Sequence, residues 1–300
     1  MTRNTTHQLS GSSTLDFKLD VISANTGCIH YGAETVDYTY LLDDRGIIKL
    51  TTTQAYGNFD KETISRKVQM EANRIKKLLV CTTAYKTKNQ IRFYGSDGTG
   101  LIMTVAQGGT ATSSIANSSS AGSEEHRYTE FSYPFTVTCA WSGEDDTGDD
   151  VIYLGSSDGW VYQANKGSSF DGAEIESNLV LAFNNNKSPN YLKQYRKLLL
   201  EMTSYGYSEV GLHPEFSYGN PFTSTHIQQL FDIKGVGGFW NVSTWNTIYY
   251  YDSQLVYQPE LQIAGEGTNI SLVLHAKSAI DLGHKFDGVI FQYTTRRLVR

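Results

Sequence analysis

VIYLGSSDGWVYQANKGSSFDG, residues Val151 to Gly172, decides how this chain folds. Val151-Ile152-Tyr153-Leu154 is a short apolar strand. Gly155-Ser156-Ser157-Asp158-Gly159 supplies positive-φ positions and an Asp side chain that can bond the backbone, the chemistry of a tight turn. Trp160-Val161-Tyr162-Gln163 returns as a second strand, so local chemistry alone predicts a β-hairpin. Gly167-Ser168-Ser169-Phe170-Asp171-Gly172 then breaks the chain, and the strands beyond it lengthen. This predicts a domain boundary there, with one domain over 1–166 and a second over 167–300.

The hairpin has two upstream echoes. Tyr40-Leu41-Leu42 passes through Asp43-Asp44-Arg45-Gly46 into Ile47-Ile48-Lys49-Leu50. Ile91-Arg92-Phe93-Tyr94 passes through Gly95-Ser96-Asp97-Gly98-Thr99-Gly100 into Leu101-Ile102-Met103-Thr104-Val105. The three recur at roughly 50 to 60 residues, near the upper end of blade-type β repeats. Asp/Gly hairpins are also common in any all-β protein, so the pattern fits either divergent propeller-like units or ordinary hairpins.

Composition agrees with an all-β chain. Only 19% of the 300 residues are charged, while there are 20 Tyr and 27 Gly. Tyr, Thr and Gly suit half-buried strands joined by turns. Many Tyr with few charges also suit a surface covered by other protein. The net charge of −6 and the lack of a long basic run argue against gripping nucleic acid through its phosphates. The first residues lack an apolar signal core, and no stretch is long enough for a membrane-spanning helix, so no stable membrane anchor is expected. Cys28, Cys81 and Cys139 are far apart and odd in number, which predicts buried free thiols made in a reducing cytoplasm.

Along the N-terminal domain, residues 1 to about 13 are polar and predict a mobile arm, and Leu15, Phe17, Leu19 and Val21 alternate as a strand. Ile64, Val68, Ala72, Ile75 and Leu79 share one face of a helix over 63 to about 80, with Thr63 as its cap. Its basic residues Arg66, Lys67, Arg74, Lys76 and Lys77 read as a solvated face. Residues 106–127 are rich in Ser, Gly and Thr and predict an exposed insertion that orders only in assembly.

In the C-terminal domain, Ile175, Ser177, Leu179, Leu181 and Phe183 alternate along a strand. In Tyr191 to Met202, Lys193, Tyr195 and Lys197 alternate with Leu192, Gln194, Arg196, Leu198 and Leu200, which predicts a strand with a cationic, aromatic face. Further strands are expected at Ser208–Leu212, His226–Phe231, Thr247–Tyr251, Ile270–Leu274 and Gly288–Tyr293, together a β-sandwich. Gly235-Val236-Gly237-Gly238 lacks the Gly-Lys-Ser/Thr ending of a phosphate loop and reads as a plain loop.

No catalytic, cofactor-binding or metal residue is expected. The seven histidines form no zinc pattern with each other or with cysteine. Glu144, Asp145, Asp146, Asp149 and Asp150 fit no EF-hand spacing and read as a hairpin tip. Asp158 with Asp171, or Glu174 with Glu176, could form a glycosidase pair only at separations that sequence does not give; both Asp residues sit in turns. Trp141, Trp160, Trp240 and Trp245 could stack on sugar rings, although Trp in strands more often fills cores and interfaces.

These stretches resemble structural proteins of short-tailed, podovirus-like bacteriophages, of the tail hub or nozzle type. The resemblance rests on LLDDRGIIKL (Leu41 to Leu50), NQIRFYGSDG (Asn89 to Gly98) and YLGSSDGWVYQ (Tyr153 to Gln163) through Gly167 to Gly172. It continues at Lys187-Ser188-Pro189, Arg196-Lys197 and Arg296-Arg297-Leu298-Val299-Arg300. It implies propeller-like and sandwich β domains in a homo-oligomeric ring, often six-fold. Such a ring sits in the virion tail with adaptor, portal or fibre proteins, is assembled in the host cytoplasm, and lets genomic DNA pass without specific binding. Three hairpin units are fewer than a closed propeller needs, so the N-terminal domain is expected to be a partial or rearranged set of blades, or a smaller β domain.

Overall fold

The computed structural model describes residues 1–14, 16–52, 59–106, 125–205, 208–219, 231–234, 241, 255–279 and 283–298. Among the described residues the chain is all-β, with one short α-helix and several small antiparallel sheets. It divides into two compact units, Met1–Lys166 and Gly167–Arg300.

The first unit opens with a two-stranded antiparallel ribbon, β1 (Thr6–Ser10) and β2 (Lys18–Ser23), in which Leu9 faces Leu19. The polar start of the chain is therefore not the mobile arm that its composition suggests. The Thr2 carbonyl accepts from the Cys28 amide at 2.9 Å, and Thr6 Oγ1 donates to the Thr26 carbonyl at 2.8 Å. Gly27 makes this possible, because a Cβ there would run into the backbone of Thr2 and Arg3.

Three antiparallel meanders follow. The first is β3 (Ala33–Thr35), β4 (Thr39–Asp43), β5 (Gly46–Thr52) and β6 (Phe59–Thr63). A 3-10 turn at Ser65–Val68 leads into the helix α1 (Gln69–Leu78), which buries Ala72 and Ile75. Thr63 ends a strand and does not cap the helix, which starts later than the apolar spacing suggests. The second meander is β7 (Leu79–Tyr85), β8 (Gln90–Gly95), β9 (Thr99–Ala106) and β10 (Glu125–Ser132). Ala106 and Glu125 to Arg127 thus lie in strands, and the remaining 107–124 of the expected insertion fall outside the described residues. The third is β11 (Val137–Glu144), β12 (Asp150–Ser156) and β13 (Val161–Gln163).

The three hairpins singled out in the sequence are β4–β5, β8–β9 and β12–β13, the second and third strands of successive meanders. The first strands also follow one another in space, with β7 beside β3 and β11. One apolar core joins the first two meanders through Tyr40, Leu42, Ile47, Ile75, Phe93 and Met103. Another joins the second and third through Cys81, Tyr94, Val137, Ile152 and Leu154. β8 serves both cores, since its alternate residues point to opposite faces. No closed ring of meanders or barrel forms among the described residues.

The second unit is built from β14 (Ile175–Val180), β15 (Tyr191–Ser204), β16 (Glu209–Phe216), β17 (Phe231–Lys234), β18 (Leu255–Tyr257), β19 (Glu260–Gly267), β20 (Ile270–Ser278) and β21 (His284–Leu298). One sheet runs β14-β20-β16-β17. In the other, β15 pairs with β21 on one side and with β18 and β19 on the other. Leu198, Leu200 and Met202 of β15 meet Val210, Leu212, Leu272 and Leu274 of the facing sheet in one core. This is the packing of two sheets in a sandwich. The alternation expected for β15 breaks at Arg196, where the register shifts against both neighbours. The shift places Lys193 and Tyr195 inside with Leu198 and Leu200 and leaves Lys197 outside, so the predicted cationic face does not form. Strand residues expected at 226–230 and 247–251, and the loop at 235–238, lie outside the described residues.

Candidate interaction surface

The outer face of the third meander carries two exposed aromatic side chains, Trp141 and Tyr153. Strand alternation sends Ile152 and Leu154 into the core and Tyr153 outward. The register sets Trp141 directly opposite Tyr153, which in turn faces Gln163. The Trp141 and Tyr153 rings lie within 21° of parallel with centroids 6.1 Å apart. Trp141 lies over Gly143, where a Cβ would collide with the indole. Beside this row, Cys139 and Val161 flank Gly155 on the same face. Trp141 is 56% exposed and Val161 71%, and Trp160 at the end of the turn is also exposed. Apolar side chains gathered on one exposed face are a feature of many contact sites.

The turn that presents Trp160 is well made. Gly159 has φ +86°, its amide donates to the Ser156 carbonyl at 3.1 Å, and the Asp158 amide donates to Ser156 Oγ at 3.3 Å. Asp158 is thus a turn residue. The same holds for Asp171, which adopts φ +52° where Phe170 and Ala173 pair. Glu174 pairs with Lys277 at 3.4 Å, and Glu176 lies 4.0 Å from His275.

At the acidic tip, Asp145 Oδ1 accepts from the Thr147 amide (2.9 Å), the Thr147 hydroxyl (2.6 Å) and the Asp149 amide (3.0 Å). The Thr147 hydroxyl bond leads in holding the Asp145 carboxyl below its ordinary range. The Asp145 carboxylate is therefore spent on the hairpin itself, while Glu144 lies 3.9 Å from Lys86 and Asp150 accepts from Thr87, both in the turn between β7 and β8. Among the described residues no three of His, Cys, Asp and Glu gather to hold a metal ion, and no helix is long and apolar enough to cross a membrane.

On the helix, Arg74 binds Glu71 at 2.7 Å and Thr99 Oγ1 at 2.7 Å, and Lys76 donates to the Asp44 carbonyl at 2.8 Å. The basic residues at those two positions anchor the helix to neighbouring turns, while Arg66, Lys67 and Lys77 are exposed.

The thiols differ from the expectation that all three are buried. Cys81 is buried, and desolvation pushes its pKa up to about 12; Cys28 is half-buried and Cys139 is exposed. A cavity of about 520 Å³ opens beside Cys28, lined also by Arg3, His30 and Tyr31. Arg3 is already paired with Asp44 at 2.9 Å, and burial raises the Cys28 thiol, so the pocket offers no activated nucleophile.

The β1–β2 ribbon is a second apolar feature, and sequence reading did not single it out as a site. Leu9 (62% exposed) and Leu19 (64%) face each other, Val21 continues the same side of β2, and Phe17 just before the strand is also exposed. Trp240 and Trp245 lie outside the described residues. No protein-family model matches the chain, and a search of curated proteins finds no relative.

Proposed function

We propose that this chain is a structural subunit of a short-tailed bacteriophage tail, a ring-forming component of the hub or nozzle through which DNA is ejected. The exposed aromatic side chains on the outer face of the third meander support the assembly part of this reading, because apolar side chains gathered on one face suit contact with another protein. The virion part rests on the Asp/Gly hairpin motifs and on the resemblance they bear to tail proteins. In this reading the subunit has no catalytic step, cofactor or metal. Its partners are copies of itself and neighbouring tail proteins such as adaptor, portal or fibre. The mild net acidity suits a wall past which DNA slides.

Native mass of the purified chain, with negative-stain images of the same sample, tests the reading. A ring with a central hole is expected. A chain that stays single and binds neither adaptor nor portal overturns it.

One observation favours a second reading, a carbohydrate- or receptor-binding tail module. The near-parallel Trp141 and Tyr153 rings beside Gln163 offer stacking surface and an amide to a sugar. Binding on a glycan array that is lost in Trp141→Ala would establish it. A blank array together with ring formation would retire it.

A further inference from the structure

Four Asp-Gly steps occur in the sequence, at Asp97-Gly98, Asp158-Gly159, Asp171-Gly172 and Asp287-Gly288. This dipeptide carries its own chemistry. The glycine amide nitrogen can attack the aspartyl side-chain carbon, because glycine has no side chain to shield it. A five-membered succinimide ring closes and the carboxyl hydroxyl leaves as water. Water then reopens the ring. Opening at the side-chain carbonyl restores aspartate. Opening at the main-chain carbonyl leaves isoaspartate, with one more methylene in the backbone and a free α-carboxylate. No oxidant or cofactor takes part.

The fold holds the four steps unequally. Asp97 Oδ1 accepts from the Thr99 amide at 3.0 Å and the Thr99 hydroxyl at 2.7 Å, and the Gly98 amide donates to the Gly95 carbonyl at 3.2 Å. Asp287 lies inside β21, where its carboxylate accepts from Thr203 at 2.6 Å and pairs with Lys285. Asp158 is held more loosely. The Gly159 amide donates to the Ser156 carbonyl at 3.1 Å, and Ser156 Oγ lies 3.4 Å from the Asp158 carboxylate.

Asp171 is held least. Asp171 and Gly172 make the two-residue turn of a small hairpin, in which Phe170 and Ala173 exchange amide-to-carbonyl bonds of 3.0 Å. Both turn residues have positive φ, +52° and +87°, as a type I′ turn requires. Glycine takes that conformation freely, whereas an L-residue such as Asp171 is strained by it. Among the described residues the Asp171 carboxylate accepts no hydrogen bond. The Gly172 amide is held by a side chain, Ser169 Oγ at 3.1 Å. Both residues are exposed, and a Cβ on Gly172 would meet no atom within 4 Å.

We propose that Asp171 is the site at which this chain isomerises, becoming isoaspartate through a succinimide formed with Gly172. The added methylene lengthens a turn of only two residues and so opens the pairing of Phe170 with Ala173. The product is a substrate for a carboxyl methyltransferase that recognises isoaspartate and uses S-adenosylmethionine. The assignment does not depend on the tail reading.

Prolonged warm incubation of the full chain at neutral pH tests it. The four steps fall on four tryptic peptides, 93–127, 128–166, 167–187 and 286–296. Each is weighed and then labelled with an isoaspartyl methyltransferase and radioactive S-adenosylmethionine. An unchanged mass before labelling separates this reaction from deamidation at Asn184 to Asn186, which makes the peptide heavier. Label is expected first in 167–187. It should accumulate there at least about tenfold faster than in 93–127 or 286–296, whose aspartates must first release their bonds. Asp171→Glu, which cannot close a five-membered ring, should abolish it. Ser169→Ala frees the Gly172 amide and should speed it about fivefold. In guanidinium chloride the four rates should converge. Earlier labelling of 128–166, or equal rates in the folded chain, overturns the assignment. An order that persists in denaturant overturns it too, because sequence and not fold would then set it. So does an unchanged rate in Ser169→Ala, since the looser hold on the Gly172 amide is what ranks Asp171 above Asp158.

Discussion

Lys193 shows how a single side chain can reverse the reading of a strand. It is fully buried, and its Nζ donates to three backbone carbonyls: Ser188 at 2.5 Å, Thr268 at 2.7 Å and Tyr191 at 3.2 Å. Desolvation lowers its pKa, and the three carbonyls offset part of the cost of keeping an ammonium inside. The ammonium thereby ties the turn before β15 to the turn between β19 and β20. Lys193→Met keeps the apolar stem but strands the carbonyls, and should cost about 2 to 4 kcal/mol in urea unfolding. Lys197→Met, four residues on, removes only a surface pair with Glu260 and should cost about 0 to 1 kcal/mol. Similar losses in the two variants would mean that the carbonyl cage contributes nothing specific.

At the scale of elements, the sequence displayed the hairpins and concealed their partners. β4–β5, β8–β9 and β12–β13 were legible because apolar runs bracket turns such as Ser156 to Gly159, whose Gly and Asp have few other roles. The position of the inward face was legible only while alternation held. At Arg196 an irregular register shifts the phase, and no local signal announces an extra residue. The β1–β2 ribbon was partly hidden by its composition, since Thr, Ser and Gln read as an arm although backbone bonds pin the base. The aromatic row was hidden for another reason: Trp141 and Tyr153 become neighbours only through strand register.

Contacts between meanders are equally invisible in sequence, and one of them gives a pH prediction. Asp150 at the start of β12 accepts from the amide and hydroxyl of Thr87, at 2.5 and 2.7 Å, in the turn between β7 and β8. The Thr87 hydroxyl bond leads in lowering its pKa from the ordinary 3.8. A lowered carboxylate stabilises the fold above the unfolded value and loses that contribution as pH falls through the folded one. Asp150→Asn should therefore cost about 1 kcal/mol at neutral pH, a figure reduced for partial exposure. The gap to the wild type should close in acid below about pH 3.8. Denaturant midpoints at pH 7 and pH 3 measure it, and a gap of equal size at both would refute the charge-assisted bond.

For the molecule as a whole, the break foreseen at the glycine-rich stretch concerns how the chain yields under stress. Each unit has its own apolar packing, the first around Ile75 and Phe93 and again around Tyr94 and Leu154, the second around Leu200 and Leu272. Between them, Asn165 and Gly167 both adopt positive φ around an exposed Lys166. Arg92 holds Asn165 at 3.1 Å, which fixes the end of the first unit just before that lysine. Exposed backbone outside any strand is what a protease needs, since cleavage requires a segment that can extend locally. Brief trypsin treatment should therefore cut after Lys166 before it cuts at lysines held in strands, such as Lys49 or Lys193. The two fragments should separate by mass into 1–166 and 167–300. Because the cores do not share residues, Ile75→Ala should make the first fragment disappear faster, by the loss of about 2 to 5 kcal/mol expected for a buried isoleucine, and leave the lifetime of the second unchanged. Equal acceleration of both would show that the chain unfolds as one cooperative body.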